Sequence, residues 1–296
     1  MAPLRVVLCG AGFMGVMHAQ VYALLPKVEV VAVVDACGVE AAAAMQKVGV
    51  NAPVFTSLQE ALKAVPADVV DICLPTDLHE AFVLEAAQAG KAIFCEKPLS
   101  LNTESGRRMV EAVRVAGGPF QVGHCIRFWP EYEVLRDLVQ GKREPVGALK
   151  ALNLQRRSGR LSYSVGNWLN DPRRSRGAAL DLHIHDTDFV VSLLGTPAWV
   201  MSRGNGCDHV TTLYGYDSVA VVAEGGWGYP AKWGFQMAFQ AVFENGALEF
   251  DSTRTPSLRL TVGEEEPRAI GTEADEAGKS KVAVGNVSSL GGIIGS

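Results

Sequence analysis

Little in this chain is arranged to meet a membrane, a polyanion or an oxidising environment. No apolar stretch approaches the roughly 20 residues needed to span a bilayer, and the apolar run at 6–9, broken at once by Gly10 and Gly12, is too short for a secretory signal. Basic residues are not in excess: 27 Lys and Arg against 32 Asp and Glu give a formal net charge of -5. With no long basic run either, no positive field is available to gather nucleic acid. The six cysteines, at positions 9, 37, 73, 95, 125 and 207, lack the paired spacing of a metal site or a disulfide framework. Cys9, Cys73, Cys95 and Cys125 fall in apolar, strand-like runs, which predicts buried free thiols in a reducing compartment. These absences predict a cytoplasmic protein with neither a membrane nor a nucleic-acid partner.

What is present is enough apolar material for two cores. The chain has 296 residues, of which 48% are hydrophobic, and domains of about 100–200 residues make two the expectation. Up to residue 124, short apolar runs alternate with helical patterns. Strands are predicted at 4–9, 28–34, 54–55, 69–73, 92–95 and 120–122, and helices at 14–25, 39–48, 58–64, 78–88 and 103–116. The strands are apolar throughout, so both their faces must be covered. That condition is met by a doubly wound parallel sheet with helices on either side.

From residue 125 onward the pattern changes to a helix at 131–139 and strands at 146–154, 219–223, 235–243, 247–250 and 258–262. One clear helix is expected at 181–194. Alternation in the later strands predicts an α+β domain on a large, mostly antiparallel open sheet with one wetter face. Residues 264–296 turn acidic and then glycine- and serine-rich, and a loosely held tail is expected there.

Gly10-Ala11-Gly12-Phe13-Met14-Gly15 follows the first strand and opens the first helix. Strand, glycine turn and helix N-terminus in this order suit a dinucleotide: a tight turn at Gly10, close approach of a pyrophosphate at Gly12, and close helix-to-strand packing at Gly15. Asp35, twenty residues past Gly15 at the end of the second strand, is placed to accept from ribose hydroxyls. It would repel a 2′-phosphate, and no Lys or Arg follows closely, so NAD is favoured over NADP.

Two further segments carry chemistry. Pro75-Thr76-Asp77-Leu78-His79 follows the fourth strand, and Glu96-Lys97-Pro98 the fifth, both at the strand ends where an open parallel sheet binds ligands. Asp77 with Glu80 reads as an N-terminal helix cap. Asp181-Leu-His183-Ile-His185-Asp186-Thr-Asp188 is expected on one helix, with Asp181 and His185 sharing a face and His183 pointing elsewhere. Because His183 and His185 would diverge on a helix, acid–base catalysis by Asp181 and His185 is the preferred reading over metal binding.

Together with Arg127-Phe-Trp-Pro130 and Arg176-Gly-Ala-Ala-Leu-Asp181, these segments resemble the Gfo/Idh/MocA oxidoreductase family. The resemblance runs to about residue 250. It implies a Rossmann domain over 1–124 and a substrate-binding and oligomerising domain over 125–296, whose sheet forms homodimers or homotetramers. It implies an NAD(P)-dependent dehydrogenase acting on CH–OH groups of a sugar, cyclitol or related polyol. Lys97, Asp181 and His185 resemble the family's catalytic set: His185 takes the hydroxyl proton, Lys97 polarises the substrate oxygen, and Asp181 orients substrate or histidine. Pro75, Thr76, His79, Glu96, Arg127 and Trp168 fall where the resemblance puts residues near the cofactor, with a core role an equal reading for Trp168. Two departures are His183, at a position often glycine in the family, and the tail. Two other functions stay open: NAD-dependent glycoside hydrolysis on the same fold, and cofactor binding without turnover. Arg156, Arg157, Arg160, Tyr163 and Arg173 are candidates for selecting the substrate on loops of the second domain, with a plain solvated loop position the preferred reading of each.

Overall fold

The computed structural model describes residues 2–160 and 164–271. Of these, residues within Met1–Gly123 and Tyr163–Ser175 form one compact unit, and those within His124–Ser162 and Arg176–Ser296 form the other. Tyr163 and residues 272–296 of the expected tail lie outside the described residues.

The first unit is a six-stranded sheet of β1 (Leu4–Cys9), β2 (Val28–Val34), β3 (Val54–Phe55), β4 (Val69–Ile72), β5 (Ala92–Cys95) and β6 (Phe120–Val122). Every pairing is parallel, and the strand order is β3-β2-β1-β4-β5-β6. Helices α1 (Phe13–Leu24), α2 (Gly38–Lys47), α3 (Leu58–Ala64), α4 (His79–Gln88) and α5 (Thr103–Ala116) make the crossovers. Alternate side chains of one strand serve opposite cores. Val7 and Cys9 of β1 pack with Val83, Met109 and Val113 from α4 and α5, whereas Leu8 packs with Ala19 and Met45 from α1 and α2. This two-sided burial is why the strands read as unbroken apolar runs. Local signals set the helix starts: Ser57 Oγ accepts from Glu60 N (3.1 Å), and Asn102 Oδ1 from Ser105 N (2.9 Å).

The expected strands and helices of this half all form, with end shifts of one residue. The cap expected of Asp77 does not form. Its carboxylate instead receives Arg174 Nε (2.9 Å) and Nη2 (3.2 Å), while Glu80 receives Ser105 Oγ (2.7 Å) and Arg108.

The second unit is built on β7 (Leu149–Gly159), β8 (Trp199–Asn205), β9 (His209–Gly215), β10 (Ala220–Tyr229), β11 (Phe235–Phe243), β12 (Gly246–Asp251), β13 (Leu258–Val262) and β14 (Arg268–Ala269). The strand order is β14-β13-β12-β11-β7-β10-β9-β8, antiparallel except for the β7–β10 pair. Helices α6 (Pro130–Val139) and α9 (Ile184–Leu194) cover one face. Tyr132, Leu135, Leu138, Phe189 and Val190 pack there on Leu152, Leu154, Phe239, Ala241 and Phe250. A single-turn helix, α8 (Ala178–Asp181), precedes α9 in this unit, whereas α7 (Pro172–Ser175) belongs to the first.

Several expectations for this half need correction. The helix predicted at 181–194 is two helices, with a break at Leu182–His183 where His183 N bonds Ala178 O five residues back (2.8 Å). The break directs the buried His183 ring to the sheet, where Nε2 meets Thr212 Oγ1 at 2.9 Å. β8 and β9 were not foreseen. All seven residues of β8 are exposed, so no pattern marks it, whereas β9 buries Val210, Thr212 and Tyr214 in alternation. The start of the expected loose tail is ordered as β14, paired with β13 and held by Arg268 to Glu144 (2.8 Å). Cys125 is exposed in a 3₁₀ turn rather than buried in a strand.

Arg156 and Arg157 lie on β7, not in a solvated loop. Arg156 is buried and makes bidentate bonds to Asp186 of α9 (both 3.0 Å) and one to Tyr132 Oη (3.2 Å). Burial opposes the Arg156 charge, but Asp186 more than compensates, so its pKa is raised. Removing one partner strands the other charge in the core. Asp186→Ala is therefore expected to cost about 3–5 kcal/mol in denaturant unfolding, and Arg156→Met with Asp186→Leu markedly less than either single change. A single-variant loss under about 1 kcal/mol would refute this reading.

Candidate active site

In the first unit the strand order reverses beside β1, and the loops leaving β1 and β4 diverge there, opening the crevice that binds ligands in this kind of sheet. The glycine turn sits in it. Gly10 has φ +97, and a Cβ there would strike the Cys73 carbonyl; a Cβ on Gly15 would strike the Gly10 carbonyl. Both glycines are demanded by packing. Gly12 is different, since a Cβ built on it meets nothing within 4 Å. Gly12 is also the N-cap of α1, with no side chain capping that end and no acidic residue in the first turn. A bare helix N-terminus beside open space fits a pyrophosphate, where partial positive charge and backbone N–H groups meet an anion.

Asp35 follows β2. Its Oδ2 accepts from Ala11 N (2.8 Å) and its Oδ1 from Cys37 N (2.8 Å), so the acid expected on the ribose also fastens the glycine turn to the end of β2. Phe13 and Met14, half-buried, start α1.

Pro75, Thr76 and His79 occupy the turn after β4. The His79 ring is 1% exposed. Nε2 lies 2.8 Å from Leu74 O and Nδ1 2.9 Å from Pro98 O. Burial holds its pKa below the ordinary histidine value, despite the carbonyls around it. The ring is thus a brace between the turn after β4 and the cis Lys97–Pro98 turn after β5. Lys97 is half-buried at the end of β5, and its backbone N donates to Glu96 Oε2 (3.1 Å).

Behind Lys97 lies a cluster the sequence reading missed. His18, on α1, sits between two buried carboxylates, with Nδ1 2.8 Å from Asp71 Oδ2 and Nε2 3.2 Å from Glu96 Oε1. Tyr22 Oη donates to Asp71 Oδ2 (2.8 Å), and Cys73 Sγ lies 3.2 Å from His18 Nδ1. Burial disfavours the imidazolium, but bonds to Asp71 and Glu96 outweigh it and push the His18 pKa up to about 10. Glu96 is held below its usual range: burial acts against this, and His18 and Lys97 overcome it. His18, Asp71 and Cys73 offer donor atoms within 4.8 Å of one another, the one such metal-ligand group among the described residues. Ligation would need a deprotonated Nδ1 and a thiolate. Both His18 ring nitrogens instead face carboxylate oxygens, which only accept, so each nitrogen acts as a donor and an ion-pair network is the better account.

In the second unit, Asp181 ends α8 and is buried, and His185 is half-buried on the first turn of α9. The break at Leu182–His183 separates them, so they do not share one continuous helix face. Asp186, next to His185, carries the Arg156 bond that pins this turn to β7. Arg127 is engaged by Asp188 of α9, with Nε 2.7 Å from Oδ2 and Nη2 on Oδ1. Trp168, grouped with the first unit, is half-buried in a 3₁₀ segment.

A six-stranded parallel sheet of this order, with an open-sided glycine turn at its reversal point, defines a dinucleotide-binding α/β protein. Residues 4–124 match the model of the Gfo/Idh/MocA oxidoreductase family, described as an NAD-binding Rossmann fold. It is 28% identical over 276 residues to an inositol 2-dehydrogenase of Rhizobium meliloti, covering 88% of this chain and 79% of that protein. It is 34% identical over 199 residues to a D-glucoside 3-dehydrogenase of Escherichia coli, covering 67% of this chain and only 56% of that protein. A levoglucosan dehydrogenase solved with NADH and levoglucosan shares the fold, with a TM-score of 0.83 at 20% identity over 96% of this chain and 86% of that one.

The raised His18 pKa has a consequence for stability. Between the unfolded value near 6.5 and the folded value of about 10, the native state holds a proton that the unfolded chain has lost. The contribution is complete below about pH 6.5 and decays by about 1.4 kcal/mol per pH unit as pH rises toward 10. Thermal unfolding followed from pH 6 to 10 is expected to show this slope in the wild type and a shallower one in His18→Gln. Parallel slopes would remove His18 as its source.

Proposed function

We propose that this protein is an NAD-dependent dehydrogenase that transfers a hydride between nicotinamide and a CH–OH carbon of a sugar, cyclitol or related polyol. The observation that carries the reading is the glycine turn at the sheet's reversal point, built so that only its middle glycine faces open space. Relatives bearing the names of inositol, glucoside and levoglucosan dehydrogenases supply the substrate class.

When bound, the nicotinamide supplies the hydride acceptor or donor. The chain supplies the rest. Lys97 places a cation against the substrate oxygen and lowers its proton affinity, His185 takes the hydroxyl proton, and Asp181 orients the substrate or the imidazole. Gly10, Gly12, Phe13, Met14, Gly15 and Asp35 hold the adenosine and pyrophosphate portion. Pro75, Thr76, Glu96, Arg127 and Trp168 shape the nicotinamide end, with His79 bracing it.

Two further parts of the proposal concern setting and assembly. All six cysteines are free and three are exposed, which supports a reducing compartment such as the cytoplasm. The eight-stranded sheet is proposed to form a homodimer or homotetramer. Edge strand β8 supports this, with Trp199, Val200 and Met201 all more than half exposed, a surface a lone subunit would leave in water.

With purified full-length protein, a panel of sugars and inositols is expected to yield at least one that reduces NAD. On that substrate Lys97→Ala and His185→Ala should each lower kcat by about 10²–10⁴ with NAD affinity near wild type. Undiminished turnover in both would end the catalytic assignment. Sedimentation equilibrium is expected to give two or four subunits, and Trp199→Glu with Met201→Glu to lower that number; a monomeric wild type would exclude the assembly.

A further inference from the structure

The geometry points to His18 as a positioning residue: by bridging the buried carboxylates of Asp71 and Glu96 it fixes the Glu96 side chain, and through it the backbone and charge environment of Lys97. The functional part of this inference rests on the catalytic role proposed for Lys97.

The argument begins with Glu96, whose two oxygens are committed separately. Oε1 receives His18 and Oε2 receives the Lys97 backbone N–H. Behind the carboxylate there is no slack, because a Cβ built on Gly123 would come within 2.9 Å of Oε1. Turning Glu96 to another rotamer therefore breaks both bonds. His18 is equally constrained. Asp71 and Cys73 face it from β4 and the segment just after it, the Phe94 ring from β5 (5.5 Å between its centroid and that of His18), Glu96 from just after β5, and Tyr22 from its own helix. Asp71 is fully buried in an otherwise apolar strand. Such a carboxylate is tolerable only when paired, and its pairing holds His18 over Glu96.

The bridge joins two parts of the proposed site. His18 lies one turn past Gly15 on the helix that opens at the glycine turn, and Glu96 directly precedes Lys97. Removing the imidazolium withdraws a cation and a charge-assisted hydrogen bond from Glu96, while burial remains. The Glu96 carboxyl then takes up a proton at higher pH and loses its hold on Lys97.

The test uses full-length protein labelled with ¹³Cδ-glutamate, with the Glu96 signal assigned by its loss in Glu96→Gln. In wild type Glu96 is expected to titrate below the ordinary range, and in His18→Gln its midpoint should rise by roughly 1–2 pH units. On a substrate found with the panel, His18→Gln should lower kcat about tenfold, move the acid limb of the kcat–pH profile upward, and leave NADH affinity within about threefold. Added to Lys97→Ala it should cost nothing more, since a positioning residue acts only through the residue it positions. Should His18→Gln fail to fold, His18→Gln with Asp71→Asn removes the opposed charges together, and a smaller rise at Glu96 is expected, since the Asp71 anion has gone too.

A Glu96 midpoint unmoved in a folded variant overturns the inference. So does full additivity with Lys97→Ala, which would leave His18 a purely structural role. Stoichiometric binding of Zn(II) alone to wild type, abolished by Cys73→Ser, would reassign the cluster to a metal. The Glu96 titration needs no turnover, so failure of the dehydrogenase reading and failure of the bridge are separately visible.

Discussion

The first unit depends on how closely α1 approaches the end of β1. Gly15 lies against the Gly10 carbonyl with no room for a methyl group between them. That contact fixes the helix axis and aims its uncapped N-terminus at the crevice where the strand order reverses. It also fixes what the next turn of the helix touches. His18 and Tyr22, four residues apart and so on one face, both come down on Asp71 of β4. One steric condition thus prepares the anion site and seats the charged bridge that reaches Glu96.

Buried charge does comparable work in the second unit. Asp186 is fully buried on the first turn of α9, beside His185, and is held by Arg156 of β7, which Tyr132 of α6 also contacts. A buried pair of this kind contributes little net stability compared with a well-packed apolar replacement. What it supplies is direction: two parallel N–H···O bonds fix the rotation of the α9 start about its own axis, which leucine and phenylalanine contacts alone would leave adjustable. Helix α9 continues with Asp188 engaging Arg127, so successive turns are registered to different neighbours.

The sequence made most of the first unit legible, because period and punctuation agree there: strands apolar on both faces, helical patterns between them, and a glycine turn with an acid twenty residues on. The second unit was harder to read for physical reasons. β8 is exposed throughout and so carries no alternation. The α8–α9 break has no proline or glycine to announce it, being set by where the His183 ring finds Thr212. Arg156 looked like a loop residue because charge normally marks the surface, and only its partner on a distant helix explains its burial. Of the candidate residues, Lys97, Asp181, His185 and the glycines could be picked out from residue type and position along the chain, whereas the His18 bridge could not. A signal for it existed. Asp71 is a single carboxylate within the run Val69-Val-Asp-Ile72, and an acid inside a strand covered on both faces demands a cation.

That demand also explains why the cluster has the membership it does. Asp71 alone would be an uncompensated buried charge; with His18 it forms a neutral pair. Glu96 adds a second buried anion, and the balancing cation is Lys97, which lowers the Glu96 pKa alongside His18. Two cations then face two anions, so the cluster carries no net charge into the interior, yet Lys97 is the member at the strand end, half exposed. The half-buried Lys97 charge is in this way coupled to the charges beneath it. Any variant that removes one inner member is felt at Lys97 even though no atom of Lys97 has been altered, because each of the remaining charges must either change its protonation or move.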